Sequence, residues 1–93
     1  MEMTEKRVCA RPDVLARELQ GQLVVLNLDS ETYFGLDSVG TRFWTVLTST
    51  PSVRAAVDLL RDEFDVDPAD LEADVCDLID RLKEEGLVDV VDI

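Results

Sequence analysis

The residue types that most often carry chemistry are nearly missing from this 93-residue chain: it has no histidine, and its two cysteines, Cys9 and Cys76, lie far apart. A zinc site needs clustered thiolate or imidazole ligands, and a disulfide framework needs several cysteines at short spacings. Neither pattern is present, so both cysteines read as reduced, partly buried thiols acting as small apolar residues. There is no glycine-rich phosphate loop and no nucleophile beside a base, so the common catalytic constellations have no members. An acid–base pair among the 21 acidic residues is chemically conceivable. The carboxylates fall mostly on helix faces opposite the apolar stripes, however, where hydration accounts for them. The chain is therefore expected to be no enzyme and to use no cofactor or metal.

One nucleophile stands in a suggestive context, Ser38 in Leu36-Asp37-Ser38-Val39. Acyl and peptidyl carrier proteins are small and acidic and carry phosphopantetheine on a serine in an Asp-Ser-Leu setting, and Glu63-Phe64-Asp65-Val66 looks similar to a stretch of theirs. Those proteins are all-helical, with a helix ahead of the serine, whereas the residues before Ser38 alternate as strands. Asp37-Ser38 is more simply a helix cap. A carrier protein using Ser38 is the alternative reading.

Nine Lys and Arg against 21 Asp and Glu leave a formal net charge of -12. That field repels phosphate and anionic lipid, so neither nucleic acid nor a membrane surface is expected as partner. The longest apolar runs, such as Leu23-Val24-Val25-Leu26, fall far short of the roughly 20 residues of a membrane span, and no signal sequence opens the chain. The expectation is one cytoplasmic domain over 1–93, with its core at about 12–88.

From Asp13 to Leu36 the pattern has period two, with Val24, Leu26 and Leu28 on one face and Leu23, Val25 and Asn27 on the other. It predicts strands at Val14–Leu19, Gln22–Leu28 and Thr32–Leu36, turning at Gly21 and at Asp29-Ser30-Glu31. After Leu36 the period becomes helical. Val39, Phe43, Trp44 and Leu47 share the face of a first helix capped by Asp37 or Ser38. Thr50-Pro51 signals a second helix, with Thr50 as cap and Val53, Ala56, Val57, Leu60 and Phe64 as its stripe. Asp67-Pro68 starts a third, reaching about Glu85 and stopping at Gly86, about 27 Å long. Its apolar face holds Leu71, Val75, Leu78, Ile79 and Leu82. Leu87–Ile93 alternates again, as a short strand or an extended tail. The fold class is α+β and winged-helix-like, a three-stranded antiparallel sheet followed by three helices. The acidic outer face of the third helix argues against DNA contact.

Over Pro12 to Val88 these landmarks resemble the coenzyme PQQ synthesis protein D family, the precursor-recognition elements of ribosomally made, modified peptides. The resemblance rests on Leu23-Val24-Val25-Leu26-Asn27-Leu28, on Tyr33-Phe34-Gly35-Leu36-Asp37 running into Gly40, Phe43 and Trp44, and on Pro51-Ser52-Val53. Phe64-Asp65-Val66, Leu71 to Leu82 and Gly86-Leu87-Val88 complete it. Free-standing members of this size look like the recognition subunits of lasso-peptide pathways. The resemblance implies binding of a precursor's leader segment. It also implies presentation to a separate leader peptidase, commonly a cysteine protease, and to an ATP-dependent macrocyclase. Family members in other pathways serve radical enzymes or cyclodehydratases, and these residues do not exclude such partners.

That role suits the layout, because the strand Thr32–Leu36 ends the meander with one row of backbone groups unpaired, where an extended peptide can add. The peptide-binding residues expected are Thr32, Tyr33, Phe34, Gly35 and Leu36 on the strand and Leu71, Asp74, Val75, Leu78, Arg81 and Leu82 on the third helix. Proline at Tyr33 or at Gly35 is expected to report which register faces the ligand. The five aliphatics of the helix look too many for the core alone, which places Val75 or Leu78 in a cleft.

Overall fold

The computed structural model describes residues 5–92. Five strands and three helices follow in the order β1 (Lys6–Ala10), β2 (Val14–Leu19), β3 (Gln22–Asn27), β4 (Thr32–Leu36), α1 (Ser38–Ser49), α2 (Val53–Glu63), α3 (Pro68–Glu84) and β5 (Val88–Asp92). The fold is α+β, with the expected antiparallel sheet in the order β2-β3-β4. Gln20 and Gly21 both have positive φ, +54° and +80°. A two-residue type I′ hairpin needs that pair of conformations, and Gly21 supplies one at no steric cost. It sets the register Leu19 to Gln22, and hence Val25 to Phe34 and Leu23 to Leu36 across the next pair.

A second sheet departs from the sequence reading. β1 pairs antiparallel with β5, from Lys6 opposite Asp92 to Ala10 opposite Val88. Within Leu87–Ile93 the strand is thus Val88–Asp92, Ile93 lying outside the described residues. Val8 and Val88 both join the single apolar cluster, so the core reaches beyond 12–88 on its N-terminal side. A five-residue strand whose paired residues lie 78 to 86 positions away leaves only a faint local signal.

The helix ends follow from side chains near them. The Asp37 carboxylate accepts from Gly40 N at 2.8 Å, which makes Asp37, rather than Ser38, the cap of α1. α2 is capped by Ser52, not Thr50. Thr50 instead turns backward, its hydroxyl donating to Val46 O at 2.8 Å to close α1. Asp67 caps α3 at Ala69 N. At its far end Gly86 sits at φ +71°, Gly86 N donates to Lys83 O and Leu87 N to Leu82 O. That pair of bonds is the Schellman stop, and it delivers Leu87 into the core.

Candidate peptide-binding site

Alternation along the sheet decides which backbone groups are free. In a two-residue hairpin the closing pair, Leu19 and Gln22, is hydrogen-bonded, so Gln22, Val24 and Leu26 turn their N–H and C=O toward β2. Leu23, Val25 and Asn27 therefore turn theirs toward β4, where their partners are Leu36, Phe34 and Thr32. Tyr33 and Gly35 are left facing away from β3, with two donors and two acceptors on the open edge. The buried hydroxyl of Thr41 agrees with this parity: it accepts from Leu23 N at 2.8 Å and donates to Leu36 O at 3.4 Å, bridging the last rung. Tyr33 and Gly35 thus belong to one register rather than to alternative ones, which corrects the use of proline to choose between them.

Asn27 fixes β4 against α3. Its side-chain oxygen accepts from Asp29 N and Ser30 N, shaping the β3–β4 turn, while its Nδ2 donates to Gly86 O at the end of α3. Further along, the Arg81 guanidinium lies over the Phe34 ring, 5.1 Å from its centroid. These two contacts make α3 run antiparallel to β4 with a groove beside the open edge. The groove encloses about 520 Å³ and is lined by Phe34, Gly35, Leu36, Asp37, Val39, Gly40, Phe43, Asp74, Asp77, Leu78 and Arg81.

Six of the residues expected from sequence meet there: Phe34, Gly35, Leu36, Asp74, Leu78 and Arg81. Thr32 is exposed at the start of β4, and Tyr33, 75% exposed, lies on the opposite sheet face and reaches the edge only through its backbone. Leu71, Val75 and Leu82 do not line the groove. Val75 and Leu82 are fully enclosed and Leu71 nearly so, packed in the core. The stripe faces inward, and of its five aliphatics only Leu78, 8% exposed, reaches the groove wall.

Asp37, Val39, Gly40, Phe43 and Asp77 line the groove unforeseen. Phe43, on the shared apolar face of the first helix, is buried and packs edge-on against Phe64 at 5.8 Å, yet it also lines the groove. The sequence signal available was the helix start itself, since a cap that follows an edge strand directly must bring its first turn beside that edge. Ser38 opens α1 immediately after β4. A carrier serine follows a helix, so the carrier alternative does not fit this architecture.

The groove walls carry charges of both signs. Arg81 stands over Phe34, while Asp74 and Asp77, earlier in α3, line the same groove as Asp37, the cap of α1. Cys76, partly buried on α3, has its thiol pushed up by burial and further by Glu72, Asp80 and Asp77, which keeps it protonated and a poor nucleophile. Among the described residues, no group of three or more His, Cys, Asp and Glu is placed to hold a metal ion, and no helix is long and apolar enough to cross a membrane.

Comparison with known proteins sets this geometry among related ones. No curated protein matches the sequence. Two solved structures do. One, TbiB1 in complex with the TbiA(beta) leader peptide, is 31% identical, with a TM-score of 0.82 over 87% of this chain and 94% of that one. The other, lasso peptide synthetase B1 complexed with the leader peptide, is 26% identical, with a TM-score of 0.77 over 90% of this chain and 96% of that one. The family model described as coenzyme PQQ synthesis protein D matches residues 22–88, from the hairpin turn through the whole groove to the start of β5. With most of its length matched and the same fold recurring in both relatives, the chain belongs to the coenzyme PQQ synthesis protein D (PqqD) family.

Proposed function

We propose that this chain binds, without altering it, the leader segment of a ribosomally made precursor peptide, and that the precursor belongs to a lasso-peptide pathway. The observation that carries the reading is the open backbone edge of Tyr33 and Gly35 beside the groove, in a fold whose solved relatives hold leader peptides. The leader extends β4 as a fourth strand. Its backbone bonds to Tyr33 and Gly35, and alternate side chains enter the groove between β4 and α3. The chain acts in the cytoplasm, where such precursors are made, and its two free cysteines suit a reducing compartment. It presents the leader to a separate cysteine-protease leader peptidase and an ATP-dependent macrocyclase.

Fluorescence anisotropy with a labelled leader from the cognate precursor tests the binding mode. N-methylating every second leader amide leaves the protein untouched. Methylation of the amides facing β4 is expected to abolish binding, and methylation of the intervening ones to spare it. Equal affinity for both peptides would exclude strand addition. For presentation, the chain is expected to accelerate leader removal by the peptidase, and an unchanged rate would reject that part.

A further inference from the structure

The groove's charge order points beyond leader binding as such to what the leader must carry. Asn27 bonds to Gly86 at one end of α3, and Arg81 lies over Phe34 two residues into β4, so positions earlier in α3 fall progressively toward Leu36 and α1. Asp77, one turn before Arg81, is displaced from it by about 6 Å along the helix, close to the two-residue repeat of an extended strand. Asp74 lies a further turn along. Successive α3-facing side chains of an added strand therefore meet Arg81 first and the two aspartates after it.

These charges are not spent within the protein. Among the described residues Arg81, Asp74 and Asp77 take part in no ion pair. Arg81, four residues after Asp77 and able to reach it, instead lies over the Phe34 ring. Asp37 uses one oxygen to cap Gly40 N and balances the positive end of α1, so the excess negative charge at that end comes from α3. Phe34, under Arg81, and Leu78 give the groove its apolar lining on β4 and α3.

We propose that Asp74 and Asp77 select a leader with a Lys or Arg on its α3-facing side at the α1 end of the groove, next in the alternation to an apolar residue over Phe34 and Leu78. Arg81 excludes a cation from the other end. Asp74, Asp77 and Arg81 are thus specificity residues, fixing the register and direction of the added strand. The inference rests on the leader-binding reading.

A phage-displayed library of random twelve-residue peptides, panned against the full chain, tests it. Selected peptides are expected to share a Lys or Arg two positions from an apolar residue. Asp77→Lys, an exposed substitution, is expected to weaken them about fivefold or more, in proportion to an exposed charge pair lost and reversed. Changing the peptide's cation to Glu is expected to restore binding to the variant, a rescue that damage to the fold does not produce. Peptides that compete with the cognate leader yet show no cation preference, or no rescue by charge exchange, would overturn the charge assignment while leaving leader binding in place. Recovery of no peptide that competes with the leader would count against the leader-binding reading and this inference together.

Discussion

Three side chains tie elements of the fold together, each by a bond that its residue type makes possible. Asn27 is buried, and its amide serves two turn N–H groups and the Gly86 carbonyl at once, which no apolar residue could do. Thr41 bridges Leu23 N and Leu36 O where α1 meets the sheet. Thr41→Val keeps the shape and removes the bridge, leaving a buried donor unpaired. Urea denaturation is expected to show a loss of about 1–3 kcal/mol. Arg42 reaches from α1 to Glu63 at the end of α2, with Nε 2.8 Å from Oε2 and 2.9 Å from Oε1. The hydrogen bonds from Arg42 hold the Glu63 carboxyl below the ordinary glutamate range. A folded-state value below the unfolded one means that the pair's stabilisation is complete above the ordinary value and is lost as pH falls through the lowered one. In an NMR titration, Glu63 is expected to protonate below the ordinary glutamate value, and to move up toward it in Arg42→Ala.

Of the elements that line the groove, β4 and α3 each have one face committed to the core. On β4, Leu36 is buried and Phe34 half-buried on the inner side, while Tyr33 and Gly35 keep their backbone groups outward. On α3, Val75, Ile79 and Leu82 are fully enclosed, while Leu78 borders the groove. Substitutions along α3 are therefore expected to divide. Leu82→Ala opens a cavity in the core and is expected to cost about 2–5 kcal/mol. Leu78→Trp is expected to fill the groove, lowering leader affinity about tenfold, or 1.4 kcal/mol, with little change in the melting midpoint. Paired thermal melts and leader titrations distinguish the two; a drop in affinity that tracks unfolding at both positions would make Leu78 simply core.

At the scale of the whole molecule, the β1–β5 ribbon ties the first strand to the last. Lys6 pairs with Asp92, and Arg11 approaches Asp89 at 3.8 Å. Such exposed pairs contribute little. The buried Val8 and Val88 matter more, because each removes an apolar side chain from water. A fragment limited to residues 12–88 loses the burial of Val8 and uncovers Val88. Chemical denaturation is expected to show it less stable than the full chain by at least about 1.5–3 kcal/mol, the value of one buried valine. Recognition without chemistry makes a further prediction at this scale. Incubated with its precursor and followed by mass spectrometry, the full chain is expected to leave both masses unchanged, and cleavage by the pure chain would end the recognition-only reading.

The sequence by itself determined what local chemistry specifies. The period-two run up to Leu36, the helical stripes after it, the Asp67-Pro68 start and the Gly86 stop each depend on neighbours within a few residues, and the landmarks they place in order carried the family resemblance. The starts of α1 and α2 were legible only to within a residue or two, since Asp37 and Ser38 are both competent caps and Thr50 is as able to close one helix as to open the next. Only the tertiary structure decided the rest. β1 forms because β5 arrives beside it from the other end of the chain. Leu78 parts company with Val75 because the elements packed around α3, not the helical period, determine which of its apolar residues border the groove. The stripe Leu71 to Leu82 looked wide enough to include a cleft because periodicity records which residues share a face. How deep that face sinks depends on the elements packed against it, whose placement involves residues distant in sequence.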